Sequence, residues 1–193
     1  MKKSVHLLVS LAVLSLGLIA CDTEPVTDPT PFTVQNYVDS LIETSEGSAK
    51  LGAEAVKASG VYEDLDVNPL LLILPDGATA LEDYIQEQGL TRESFLNHPK
   101  LKRFVNSHLI YDEVDLAALR SGDVGTSETF ESAAGIPITI TKVNNDPDGV
   151  DVKNGEANGV PMDLRCAGEG NGNPSTFVCF TTGPIAKNFD WSQ

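Results

Sequence analysis

The chain has 193 residues, with 13 Lys and Arg against 28 Asp and Glu, a formal net charge of −15 at pH 7 and an isoelectric point near 4.4. Such an acidic surface excludes nucleic acid as a partner and makes electrostatic attachment to anionic lipid unfavourable. Beyond its first residues, the chain has the length of one domain, enough to bury a core.

Residues 1–20 read as an export signal. Lys2 and Lys3 form the charged start, and Val5 to Ala20 form an apolar stretch, interrupted by His6, Ser10 and Ser15, that is too short for an ordinary transmembrane span. It ends in Leu18-Ile19-Ala20-Cys21, which resembles the lipobox of bacterial lipoproteins, so Cys21 is expected to carry lipid and to be the mature N-terminus. Cleavage there removes two basic residues and no acidic one, leaving 11 basic against 28 acidic residues and a charge of −17. The protein is therefore expected in the bacterial cell envelope, facing the periplasm or the exterior, with acyl chains supplying membrane attachment. Residues 21–31, rich in Pro, Thr and acid, have no apolar period and read as a spacer. Residues 32–187 are expected to fold, with residues 188–193 as a tail.

Thr33 is a good N-cap, and Val34, Tyr37, Val38, Leu41 and Ile42 make one apolar helical stripe that Gly47 should end. A second helix is expected from Ser48 to Ala58. Leu70 to Leu74, bounded by Pro69 and Pro75, is too short for a helix and reads as a strand buried on both faces. Leu81, Tyr84 and Ile85 mark the next helix, closed by Gly89, and Thr91 caps a turn carrying Phe95 and Leu96. Leu101, Phe104, Val105, His108 and Leu109 repeat the full helical stripe, and Asp115 caps one more turn, stopped by Gly122.

From Thr126 the apolar period becomes two, in Ile136, Ile138 and Ile140, in Val150 and Val152, in Val160, Met162 and Leu164, and from Phe177 to Phe180. Helices first and strands afterwards predict an α+β domain with a mainly antiparallel sheet. With Cys21 assigned to lipid, Cys166 and Cys179 remain as an even pair in an oxidising compartment, and a disulfide is expected between them across a Gly- and Asn-rich excursion.

This order, with particular residues, resembles the fasciclin domain. Leu71-Leu72-Ile73-Leu74-Pro75-Asp76 running into Ala80-Leu81 is similar to that family's strand-to-helix block. Asn97-His98-Pro99-Lys100-Leu101, and then Leu101 to Ile110 with His108, is similar to its leucine-rich helix ending in Tyr-His before a strand. Ser107 stands where the family has Tyr, Asp76-Gly77 replaces Thr-Asp or Thr-Asn, and the cysteine pair lies outside the common pattern. The resemblance implies helices packed on a β-sandwich of about seven strands, no cofactor, and a role in adhesion with a polysaccharide or protein ligand at the cell surface. It also implies a binding role for His108, Leu109 and Ile110. The other reading is a structural or stress-related envelope lipoprotein that contacts only envelope components.

No Gly-x-Ser-x-Gly, His-Glu-x-x-His or glycine-rich phosphate loop is present, so no enzyme is expected. A hydrolase would need His108 beside a Ser and a carboxylate; a buried, hydrogen-bonded imidazole at the helix-to-strand junction is the competing reading. Residues 144–151 place oxygen ligands at alternate positions with Gly149 sixth, as in a calcium loop, but Gly155 at the twelfth position and flanking strands rule out an EF-hand. Asp146, Asp148 and Asp151 could form a simpler calcium site, or the segment could be a solvated hairpin turn. Phe189 and Trp191 either pack onto the domain or stand exposed to stack on sugar rings.

Overall fold

The computed structural model describes residues 32–65, 67, 69–146, 149–154, 159–168 and 176–192. The expected signal, Cys21, the spacer and the Gly- and Asn-rich excursion lie outside the described residues.

Five helices fill most of the N-terminal half, with one strand between the second and the third: α1 (Val34–Thr44), α2 (Gly47–Ala58), α3 (Ala80–Glu87), α4 (Arg92–Leu96) and α5 (Leu101–Asn106). Thr33 caps α1 by accepting the Asn36 N–H at 3.0 Å, and Thr91 and Ser94 form a reciprocal capping box on α4. Gly47 does not end α1, which stops at Ser45; it opens α2. It does so at a φ of +59°, and a Cβ there would stand 2.2 Å from the Ala78 carbonyl oxygen. The glycine is therefore required by close approach of the α2 start to the loop before α3. A 3-10 turn at Tyr62–Asp64 is tied back to α1 and α2: the Tyr62 hydroxyl donates to Asp39 at 2.8 Å, and Lys57 lies 2.6 Å from the same carboxylate.

The strands are β1 (Leu70–Pro75), β2 (Leu109–Ile110), β3 (Ser127–Glu131), β4 (Pro137–Lys142), β5 (Gly149–Asn154), β6 (Val160–Ala167) and β7 (Thr176–Thr181), with α6 (Leu116–Ser121) between β2 and β3. Asp115 caps α6 by accepting the Ala118 N–H at 2.8 Å. The helical stripe expected through Leu109 stops earlier, because α5 ends at Asn106 and Leu109 turns into β2.

All seven strands belong to one sheet in the order β2-β1-β7-β6-β5-β4-β3, antiparallel except for β1 against β7. The sandwich arises because this one sheet folds over. Leu70, Leu72, Leu74, Leu109 and Val178 face the helices α1–α5, whereas Leu71, Ile73, Ile110, Phe177 and Cys179 share a second core with Ile138, Ile140, Val150, Val152, Val160 and Met162. Alternate residues of β1 thus serve different cores, which is why its run is apolar without a break. The two ends of the sheet meet where Ile110 bridges Ser132 and the Ala133 N–H donates to the Leu109 carbonyl at 2.7 Å. Between its pairings Asp163–Phe180 and Ala167–Val178, β6 carries two more residues than β7, a bulge in the ladder. The second of these registers, continued one step, sets Cys166 opposite Cys179; the two are joined by a disulfide with Cα atoms 4.4 Å apart.

Candidate functional site

The junction of α5 and β2 gathers the residues singled out by sequence. The Phe104 carbonyl at the end of α5 accepts from the Ser107 hydroxyl at 2.6 Å and lies 2.9 Å from His108 Nδ1. The Ile185 N–H donates to His108 Nε2 at 3.2 Å, so Nε2 is the unprotonated nitrogen and Nδ1 carries the hydrogen given to Phe104. The His108 carbonyl in turn accepts from Ile73 N–H in β1 at 2.9 Å. One residue thereby joins α5, β1 and the segment after β7.

His108 is 4% exposed, and Leu109 and Ile110 are fully buried. None of the three offers surface to a partner in the folded domain. Leu109 belongs to the helix-side core and Ile110 to the second core, and the imidazole borders a cavity of only about 20 Å³ lined by Gly52, Val56, Ile73 and Leu81 among others. Nor does the junction have the geometry of a hydrolase. Ser107 Oγ lies 3.1 Å from His108 Nδ1, but that nitrogen already serves Phe104, the hydroxyl points to the same carbonyl, and the cavity lining has no carboxylate.

Burial pushes the His108 imidazole down to about 4, against a smaller opposing effect of the Phe104 carbonyl, which favours the charged form. The unfolded chain binds a proton near pH 6.5 and the folded one does not until far lower. The stabilisation is therefore complete above the unfolded value and is lost as pH falls toward the folded one. Urea denaturation of the wild type is expected to show a loss from this source of about 2 kcal/mol between pH 8 and pH 5. The variant His108→Gln should lack that portion of the slope; an equal slope in both proteins would assign the loss to carboxylates instead.

The Asn- and Asp-rich segment between β4 and β5 is a self-bonded turn over its described part. Asn144 Oδ1 accepts the Asp146 N–H at 2.8 Å, and the Asp146 carbonyl accepts the Gly149 N–H at 3.2 Å. Lys142, 2% exposed, also donates its ammonium to that carbonyl, so a cation of the chain itself already sits at the turn. Asp146 is exposed in the loop, Asp151 lies within β5 opposite Thr141 and Pro161, and Asp148 lies outside the described residues. Among the described residues, no three His, Cys, Asp or Glu side chains gather to hold a metal.

Phe189 and Trp191 settle as packing residues rather than an exposed pair. Trp191 is 8% exposed and its ring meets Phe95, Phe104, Phe189 and His98 at centroid distances of 4.7 to 5.5 Å. Its Nε1–H donates to the Tyr84 hydroxyl at 2.9 Å, which donates to the Ala186 carbonyl at 3.2 Å. The domain thus continues past residue 187 through an aromatic strap. Sequence reasoning missed the partnership of Ile185 with His108 because a backbone N–H leaves no mark in residue type.

The exposed polar face lies across the fold-over of the sheet. Ser127, Thr129, Thr139 and Thr141 point outward from β3 and β4, with the Thr129 and Thr139 hydroxyls 2.9 Å apart, and Thr129, Phe130, Glu131, Gly135 and Pro137 line a shallow groove of about 220 Å³.

Compared with solved structures, the chain is similar to a FAS1 domain pair from the insect cell adhesion molecule fasciclin I, with a TM-score of 0.51 over 72% of this chain and 45% of that one. The fold is that of a FAS1 domain. At 15% identity the likeness is one of architecture, and the chain spans less than half the length of that domain pair. No family model and no curated protein matches the sequence. Within this FAS1-like domain, the strand that resembled the family's first block is β1, and the block around His108 is the junction just described. No described helix is long and apolar enough to cross a membrane.

Proposed function

We propose that the chain is a lipid-anchored protein of the bacterial cell envelope whose FAS1-like domain works in adhesion, engaging a polysaccharide or protein at the cell surface. The FAS1 fold carries this reading, since the similar solved structure comes from a cell adhesion molecule. The lipobox ending in Cys21 and the acidic spacer after it supply the tether and leave the domain free to face a partner. Because His108, Leu109 and Ile110 are buried, contact falls to exposed residues, and the hydroxyl-rich face of β3 and β4 with its groove is the surface best suited to polar ligands.

Two measurements test the proposal. Intact mass of the native protein should show acyl chains on Cys21, and Cys21→Ala should move the protein from the membrane to the soluble fraction. The purified domain, displayed in many copies on beads, should retain envelope polysaccharide, matrix protein or sister cells, and Thr129→Ala with Thr139→Ala should weaken retention. Beads that retain none of these would end the adhesion reading, and crosslinks in intact cells confined to envelope components would favour the structural one.

A further inference from the structure

We propose that the strap of residues 183–192 is a proton-gated flap latched by His108, which opens when Nε2 takes up a proton and can no longer accept the Ile185 N–H.

The strap is held differently from the elements around it. The described residues of the strap have no place in the sheet; their anchorage runs through side chains. Ile185 N–H rests on His108 Nε2, the Ala186 carbonyl on the Tyr84 hydroxyl, Trp191 on the same hydroxyl, and the Asp190 carbonyl accepts from Lys100 at 3.0 Å. Phe104 couples the latch to the rings. Its carbonyl receives His108 Nδ1–H while its ring meets His108 at 4.7 Å, Phe189 at 5.4 Å and Trp191 at 5.0 Å.

A proton on Nε2 would turn an acceptor into a donor facing another donor. The charge would gain only the Phe104 carbonyl, already bonded to Nδ1, and would meet no carboxylate in the cavity. The cavity beside the ring is lined from α2 by Gly52, Ala55 and Val56, from β1 by residues 72–75, from α3 by Leu81 and from α5 by Phe104 and Val105, none of which titrates. Ser107 beside Nδ1 is neutral. The imidazolium can therefore be relieved only by water, and water enters by opening the element with no ladder of backbone bonds.

Other titratable groups face the strap and not the latch. His98 meets Trp191 edge-on at 4.9 Å, Tyr84 bonds Trp191 and Ala186, and Lys100 lies 3.8 Å from Asp190, whose carboxyl is held below the usual range by Ser192 and then Lys100. His98, the other imidazole against the strap, is the control for His108.

Native-state hydrogen exchange on the whole protein tests the latch, with protection corrected for the intrinsic pH dependence of exchange. The Ile185 and Phe189 amides are expected to be less protected than those of β1 at every pH, and to lose up to about 30-fold in protection between pH 8 and pH 5, as an imidazole returning to its free pKa requires. His108→Gln should abolish this loss at the strap and His98→Gln should keep it. The proposal fails if strap and β1 amides share one protection value, since only global unfolding would then expose them. It fails equally if strap protection is independent of pH, or if His98→Gln removes the dependence. Should His108→Gln not fold, the comparison of strap and β1 amides within the wild type still decides.

Discussion

Trp191→Ala is expected to destabilise the domain by about 4 kcal/mol, read as a lower urea midpoint. The indole is almost fully buried and touches four other aromatic rings, so truncation removes a large transfer free energy and leaves a cavity between α4, α5 and the strap. It also deletes the donor to the Tyr84 hydroxyl. Trp191→Phe should recover most of the loss, because it keeps a ring among Phe95, Phe104 and Phe189 and gives up mainly the hydrogen bond. A loss below about 1 kcal/mol for the alanine variant would mean that the strap does not stabilise the fold in solution.

Replacing both members of the disulfide, Cys166→Ala with Cys179→Ala, is expected to cost about 3 kcal/mol, the loop-closure value for a crosslink of this span. The cysteines are 13 residues apart on β6 and β7, and Cys166 lies between the two registers that β6 keeps with β7. Without the crosslink, that excursion must be closed by strand pairing alone in a register the bulge has already interrupted. The same midpoint shift should follow reduction of the wild type in denaturant. Equal midpoints for the oxidised and reduced proteins would show that the β6–β7 pairing is self-sufficient.

Several elements were legible because their signal is local. The cap at Thr33, the cap at Asp115 and the five-residue apolar run of β1 depend on neighbours within one turn or one strand, and each stands where those residues predict. The change of period near residue 126 likewise marks where helices give way to strands. Errors came where two local signals compete. Gly47 has the composition of a helix stop, yet it serves the approach of α2 to Ala78, and Leu109 continues a helical stripe although the chain has already turned into β2.

The candidate site was less legible. His108 stood out as a titratable residue on an apolar stripe, but its role depends on a backbone N–H 77 residues later. Leu109 and Ile110, implied as binding residues by resemblance, are placed in two different cores by the fold-over of the sheet. No sequence pattern shows that β2 and the end of β3 meet, because that contact follows from the accumulated bend of every strand between them.

The sequence by itself therefore determined the α+β class, the order of the elements, the acidic character and the expectation of a lipid anchor at Cys21. These depend on composition, on spacing along a few turns and on a short motif. Only the tertiary structure decided that one continuous sheet makes both layers, that His108 is buried and accepts the Ile185 N–H, and that Trp191 closes the aromatic core. The last two depend on atoms brought together across 77 to 107 residues, where local periodicity is silent and the packing of the whole domain chooses the neighbour.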